Sequence, residues 1–307
     1  MPPPSVFPSP IPATGRPVSG LAEIAPGHDA LICDVWGVIH DGARAHPEAA
    51  TALRNFRRRH GPVILLTNAP RTAAEVAAQC AGFGVPPDCY DAIVSSGGAA
   101  RAELEQRSGN GRLPLYFIGP ERDLTMLAGL DVTRADIARA DVALAVGLVD
   151  DMTETPADYA GRLEQMRARD LVMLCANPDL VVHRGPRLVY CAGALARAYA
   201  DMGGQVIYYG KPYLPVYAAA RAAAGAVLGH PPARPLAAGD GLATDVKGAN
   251  GAGLPVLFIA GGIHGQDAAG PDGLTGLFAR HGVHADWVMP SLVWDEAGQN
   301  SKGDGRG

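Results

Sequence analysis

Long apolar runs, a cationic surplus and paired cysteines are all missing from this sequence, and each absence removes a class of protein. A bilayer-spanning helix needs about 20 consecutive apolar residues. No such run occurs, so no membrane association is expected. Five cysteines (Cys33, Cys80, Cys89, Cys175 and Cys191) are scattered without a CxxC pair, an odd set that makes no disulfide framework and fits a reducing cytoplasm. Lysine and arginine number 26 against 31 aspartates and glutamates, a net charge of −5. Neutralising a run of phosphates needs a cationic excess, so a nucleic-acid partner is excluded. The one basic cluster, Arg57, Arg58 and Arg59, closes an expected helix, where cations favour the negative end of its dipole. HExxH, a Walker lysine loop and GxSxG are also absent, which removes zinc peptidase, P-loop and serine hydrolase chemistry of the usual kinds. GANGAG at 248–253 follows a helix start rather than a strand and is not read as a dinucleotide loop.

What is present is an alternation of short apolar runs with helix-like stretches. The chain has 307 residues, 48% of them hydrophobic, enough for one large core or two modest ones. Strands are expected at 30–33, 63–66, 115–118, 142–146, 171–175, 206–209, 236–238 and 256–259, each bounded by Gly, Pro, Asp or Asn. Helix entry signals are Pro47 for a helix ending at His60, Thr72 for one ending at Phe83, and Thr155-Pro156 for one ending at Arg169. The fold class is therefore α/β, a parallel sheet covered by helices. Seams at 85–98 and 183–193 divide it into a split outer domain (21–90 and 190–296) and an inserted domain (91–189). The proline-rich start (1–20) and the polar end (297–307) are expected to be flexible.

In such sheets ligands bind beyond the carboxyl ends of the strands, so polar residues directly after apolar runs are the ones to inspect. Four places qualify: ICDVWGVIHDG with Asp34, ILLTNAP with Thr67 and Asn68, YYGKP with Lys211, and AAGDGLATD with Asp240 and Asp245. Singly, each has a plain structural reading. Asp34 and Thr67-Asn68 are turn formers, Lys211 a surface cation, and Asp245 a cap for a helix over 246–252. Together they hold the parts of phosphoryl transfer through an aspartate. Asp34 is the candidate nucleophile. Asp34, Asp240 and Asp245 are candidate ligands of a hard divalent cation. Thr67, Asn68 and Lys211 supply a hydroxyl, an amide and an ammonium to the phosphoryl oxygens.

These four segments, in this order, resemble motifs one to four of the haloacid dehalogenase (HAD) superfamily. From ANPD (176–179) through GKP to GDGLATDVKGANGAG the chain is similar to class IIA, the NagD-like sugar, nucleotide and pyridoxal phosphatases. The resemblance spans residues 29–287. It implies a doubly wound, Rossmann-like core with an α/β cap inserted between motifs two and three, Mg²⁺ as cofactor with the Trp36 carbonyl as a further ligand, and Asn177 and Asp179 as specificity contacts from the cap. An Asx turn is the alternative for those two. It also implies a small phosphorylated metabolite as substrate, and relatives are often dimers through the cap.

One position departs from the family pattern. The phosphatases carry a second aspartate two residues beyond the nucleophile, the general acid and base, and here Trp36 stands there. An indole exchanges no proton at neutral pH, so turnover of poor leaving groups is expected to be weak. His40 and Asp41 follow in what the family uses as a mobile flap; either could replace the donor, with an Asp41-Gly42 turn as the alternative. Two other functions stay open: a silent protein that binds a phosphorylated ligand, and a phosphonate or carbon–halogen hydrolase, the activities of relatives lacking that aspartate. The retained Asp240 and Asp245 favour a metal and hence phosphorus.

Overall fold

A computed structural model describes residues 15–109, 111–184, 187–263 and 273–296. Two parallel sheets organise them. The larger contains β1 (Arg16–Pro17), β2 (Ala30–Asp34), β3 (Val63–Thr67), β4 (Ala92–Ser95), β12 (Pro235–Gly239), β13 (Val256–Ile259) and β14 (Trp287–Met289), in the order β1-β14-β13-β12-β2-β3-β4. The smaller contains β5 (Leu113–Ile118), β6 (Val132–Arg134), β7 (Val142–Ala145), β8 (Met173–Cys175) and β11 (Val206–Tyr208), in the order β11-β8-β7-β5-β6. An antiparallel hairpin, β9 (Val181–Arg184) with β10 (Arg187–Tyr190), lies between β8 and β11 in the chain.

The side-chain period of two explains why helices cover both faces of the larger sheet. Leu31 and Cys33 of β2, with Val63 and Leu65 of β3, pack against Leu53 and Phe56 of α1 (Pro47–Arg59) and Val76 of α2 (Ala73–Gly82). Ala30, Ile32, Ile64 and Leu66 point the other way. They meet the helices that follow the smaller sheet in the chain: α6 (Leu214–Leu228), α7 (Lys247–Gly251) and α8 (Gly273–His281). The smaller sheet is likewise covered twice, by Ala100 and Leu104 of α3 (Ser96–Ser108) on one face. On the other lie α4 (Ala160–Ala168) and α5 (Ala192–Asp201). Strand order runs outward from β2 in both directions, through β3 and β4 one way and β12, β13 and β14 the other. That reversal opens a cleft at the carboxyl ends of β2 and β12.

The expected helix signals operate as read. Thr72 caps α2 in a full capping box: its hydroxyl accepts from the Glu75 amide at 3.3 Å, and the Glu75 carboxylate accepts from the Thr72 amide at 2.8 Å. Pro47 opens α1, and in that helix's last turn Arg57 pairs with Asp91 and Arg59 with Glu296. Thr155-Pro156 starts a 3-10 turn (Pro156–Tyr159) that leads into α4.

Three expectations change. The first seam narrows to its far end and the second moves, because β4 bonds to β3 in the larger sheet and β11 bonds to β8 in the smaller one. The chain therefore crosses between units at Ser95-Ser96 and again at 209–213, not at 90–91 and 189–190. Loop-forming residues mark breaks between elements but do not say which sheet edge accepts the next strand. The expected arm over 1–20 is shorter: Arg16–Pro17 pairs with β14 and Val18 is buried, while 1–14 and the polar end at 297–307 lie outside the described residues. The strands β1, β4, β6 and β14 and the hairpin were not expected; none of those four strands holds more than three consecutive apolar residues. No helix among the described residues is long and apolar enough to cross a membrane.

Phe56 is fully buried beneath the larger sheet. Its replacement by Ala is expected to lower the unfolding free energy by about 3–5 kcal/mol, from lost transfer energy and a residual cavity. Thr72→Ala should cost about 1 kcal/mol through the lost cap. Urea unfolding of both variants checks the ranking, which a cost for Thr72→Ala equal to that of Phe56→Ala would reverse.

Candidate active site

Each candidate from the four motifs ends a strand or follows one at the cleft. Asp34 is the last residue of β2, Asp240 directly follows β12, and Asp245 lies in a turn of π-helix (Leu242–Val246) just beyond. All three are buried, and each offers a carboxylate oxygen within 4.8 Å of the other two. The Lys211 ammonium enters this group, donating to Asp34 Oδ1 and, at 2.7 Å, to Asp245 Oδ1. Lysine and aspartates alike are shielded from water, with side chains 4–7% exposed.

Three carboxylates share one ammonium, and the excess charge shows in their proton affinities. Burial, and then the Asp34 carboxylate, push Asp240 up to about 8 and Asp245 up to about 6. Burial alone would lower Lys211, but Asp245 and Asp34 more than offset it and hold the ammonium well above its ordinary range. A dense, all-oxygen donor set with protons to surrender fits a hard divalent cation. Asp34 and Asp240 would hold the ion, with Asp245 beside them. The chain at 36–37 runs against the same group: Gly37 has φ +82°, and a Cβ there would come within 2.1 Å of Asp240 Oδ2. Only glycine permits that approach.

Thr67 ends β3 and Asn68 follows it, both buried. Asn68 ties the two units together. Its Oδ1 accepts from the Lys211 backbone amide at 2.7 Å and from Ser96 Oγ at 3.3 Å, and its Nδ2 donates to the Lys211 carbonyl at 3.1 Å and to Asp179 Oδ1 at 2.8 Å. Ser96 and Lys211 stand at the two chain crossings. Asn177 takes the turn role, its Oδ1 accepting from the Asp179 amide at 3.1 Å, while Asp179 reaches the cleft.

Some structural alternatives weighed from sequence prevail and others do not. Asp245 caps no helix: its Oδ2 accepts from the Gly241 amide and Thr244 Oγ1, each at 3.1 Å, and its Oδ1 from Lys211. Asp41 does form the turn, Oδ1 accepting from the Ala43 and Arg44 amides at 2.9 Å each. His40 is buried, its Nδ1 accepts from the Gly42 amide at 3.1 Å, and burial pushes it down to about 4. Trp36 is 37% exposed, and its indole packs against His40 and Gly42. Sequence reasoning missed Ser96, hidden because β4 was not expected, and Tyr217, whose hydroxyl donates to the Asp245 carbonyl at 3.1 Å.

Comparison with known proteins places the chain in a family. Residues 31–133 match a haloacid dehalogenase-like hydrolase model, and 208–289 match a second, HAD-hydrolase-like model. The crystal structure of a haloacid dehalogenase-like hydrolase from Brucella suis 1330 superposes with a TM-score of 0.79 at 39% identity, over 89% of this chain and 99% of that one. The chain belongs to the haloacid dehalogenase-like hydrolases. D-glycerol 3-phosphate phosphatase of Mycobacterium tuberculosis is 31% identical over 80% of this chain, which spans 66% of that protein's length. The ribonucleotide monophosphatase NagD of Escherichia coli K12 is 26% identical over 77% of this chain and 89% of its own. A glycerol phosphate phosphatase from M. tuberculosis, crystallised in complex with calcium, gives a TM-score of 0.58 at 26% identity, covering 78% of this chain and 68% of that one. Within the superfamily this hydrolase is NagD-like, its second α/β unit lying between the Thr67-Asn68 and Lys211 segments.

The raised acids carry a pH signature. Asp240 keeps its proton to about 8 when folded, against 3.8 as an ordinary aspartate, so the folded state binds more protons between those values. Without a cation, stability should therefore fall as pH rises through that window, and a divalent ion, replacing the protons, should raise Tm more at pH 8 than at pH 6. Thermal scans with chelator and with Mg²⁺ check this; equal increments at both pH values would contradict it. Asp240→Asn should abolish the increment.

Proposed function

We propose that this hydrolase is a magnesium-dependent phosphatase of small phosphomonoesters, of the sugar, nucleotide or pyridoxal phosphate class, working through an aspartyl-phosphate at Asp34. The observation that carries this reading is the convergence of Asp34, Lys211, Asp240 and Asp245 at one cleft, with Thr67 and Asn68 on its rim. The phosphatase names of the relatives support it, as does the calcium complex of one of them for a divalent ion.

Asp34 supplies the attacking carboxylate oxygen, which splits one displacement into two. Lys211 is already fixed beside that carboxylate, so its charge faces the incoming phosphoryl group without reorganisation. Thr67 offers a hydroxyl to the phosphoryl oxygens and Asn68 its backbone N–H, the Asn68 side-chain amide being spent on the Lys211 carbonyl and Asp179. A cation held by Asp34, Asp240 and the Trp36 carbonyl, with Asp245 close by, would screen the carboxylate from the phosphate it attacks. Asp179, joined to Asn68 at 2.8 Å, brings the smaller unit to the substrate's other end. Three buried carboxylates that would suit a hard cation speak for phosphorus rather than a carbon–halogen bond.

A screen of phosphorylated metabolites for phosphate release, with and without Mg²⁺, tests the reading. Asp34→Asn is expected to reduce turnover by on the order of 10³-fold or more. Lys211→Ala should lose roughly 10²–10³-fold. A second reading, ligand sensing without turnover, is favoured by Trp36 in place of an acid. It would show as ligand binding with no phosphate released, unchanged in Asp34→Asn.

A further inference from the structure

Between residues 30 and 40 a single side chain is exposed, and it is Trp36, two residues beyond the proposed nucleophile. Its indole is braced rather than loose. The ring meets the His40 imidazole edge to face at 5.3 Å, and His40 meets Phe83 at 4.7 Å. It lies so close to Gly42 that a Cβ there would come within 2.5 Å of two ring carbons. A flat, partly exposed apolar face is thus held in place two residues along the chain from Asp34.

Six titratable side chains of the acidic group and the adjoining turn are committed to other partners. His40 is 1% exposed, with Nδ1 accepting from the Gly42 amide. Asp41 is tied down by the Ala43 and Arg44 amides, and Asp179 accepts from Asn68. Lys211 donates to two carboxylates, Asp245 accepts from Lys211, Gly241 and Thr244, and Asp240 accepts from the Ile263 amide at 2.8 Å. None of these is placed to hand a proton to an oxygen leaving past Trp36.

We infer that the substrates of this enzyme are phosphomonoesters of acidic, flat hydroxyl compounds, phenolic or enolic in class, whose leaving group stacks on Trp36 and departs without a proton. This rests on the phosphatase reading above. In the first step the Asp34 carboxylate oxygen bonds to phosphorus, the phosphorus–oxygen ester bond breaks, and the leaving oxygen takes the electron pair as a phenolate or enolate. In the second, water displaces the carboxylate from phosphorus; both its protons stay on the released phosphate, as dihydrogen phosphate, and Asp34 is regenerated. General acid help worth roughly 10²–10⁴-fold is forgone, so the leaving group's own acidity must supply it.

The experiment is a graded series of aryl phosphates plus an alkyl phosphate, assayed for phosphate release with Mg²⁺ on the full chain and on variants. For the parent, kcat/KM should fall by on the order of 10²-fold or more from a nitrophenyl to an unsubstituted phenyl ester, and further for the alkyl ester. Trp36→Asp should lift the alkyl ester by roughly 10²-fold and flatten the series. Trp36→Phe should keep the steep series, and Trp36→Leu should raise KM for aryl esters without changing its slope. Should Trp36→Asp fail to fold, the parent slope and the Phe and Leu variants decide. A shallow parent series would overturn the inference while leaving the phosphatase reading intact. A series that is shallow in the parent and steep in Asp179→Asn would overturn it and give the proton to Asp179. No phosphate from any ester would overturn the phosphatase reading and this inference with it.

Discussion

The Lys211 ammonium, buried between Asp34 and Asp245, is the interaction on which the site depends. Taking one cation and three carboxylates out of water costs more than hydrophobic packing alone could offset, so each charge must be met by another or by a fixed donor. Removing one partner from a buried pair typically costs about 3–5 kcal/mol, because the survivor stays buried and unpaired. The site therefore persists only as a set. The same arrangement leaves more negative than positive charge, the electrostatic condition for taking up a hard cation.

The position of Lys211 along the chain matters as much as its charge. It sits where the chain returns from the smaller sheet to the larger, opposite Ser96 at the outward crossing, and Asn68 hydrogen-bonds to both. The residue pair that would grip a phosphoryl group thus also joins the two units, and Asp179 from the smaller unit fastens to the same amide. Any change in how the units sit would be felt at Asn68. The two units are thus coupled at one side chain through four hydrogen bonds.

Trp36 shows how one substitution alters the character of a site without dismantling it. The backbone at 36–37 still passes the Asp240 carboxylate, with Gly37 allowing the approach, while the side chain turns toward Gly42 and His40. What the side chain adds two residues beyond Asp34 is a braced aromatic face rather than a carboxyl group. His40 does not restore the acid, since burial and the Gly42 amide hold it neutral.

The sequence alone determined the α/β class, the eight longer strands and the four chemical segments, because apolar runs ending in Asp, Thr-Asn or Gly-Lys are local patterns governed by strand burial and by chemistry at strand ends. Val132–Arg134 and Trp287–Met289 were illegible, since neither lies in an apolar run of four or more residues, as Met173–Cys175 and Val206–Tyr208 do. Whether Asp245 caps a helix or Asp41 turns a loop was also undetermined, as both roles satisfy the same local geometry. Only the tertiary structure decided those, along with the crossing points at 96 and 209–213 and the partnership of Asn68 with Ser96 and Asp179. Hydrogen bonds between residues 28 and 111 positions apart depend on which sheet edge accepts a strand, and that is settled by packing of the whole chain.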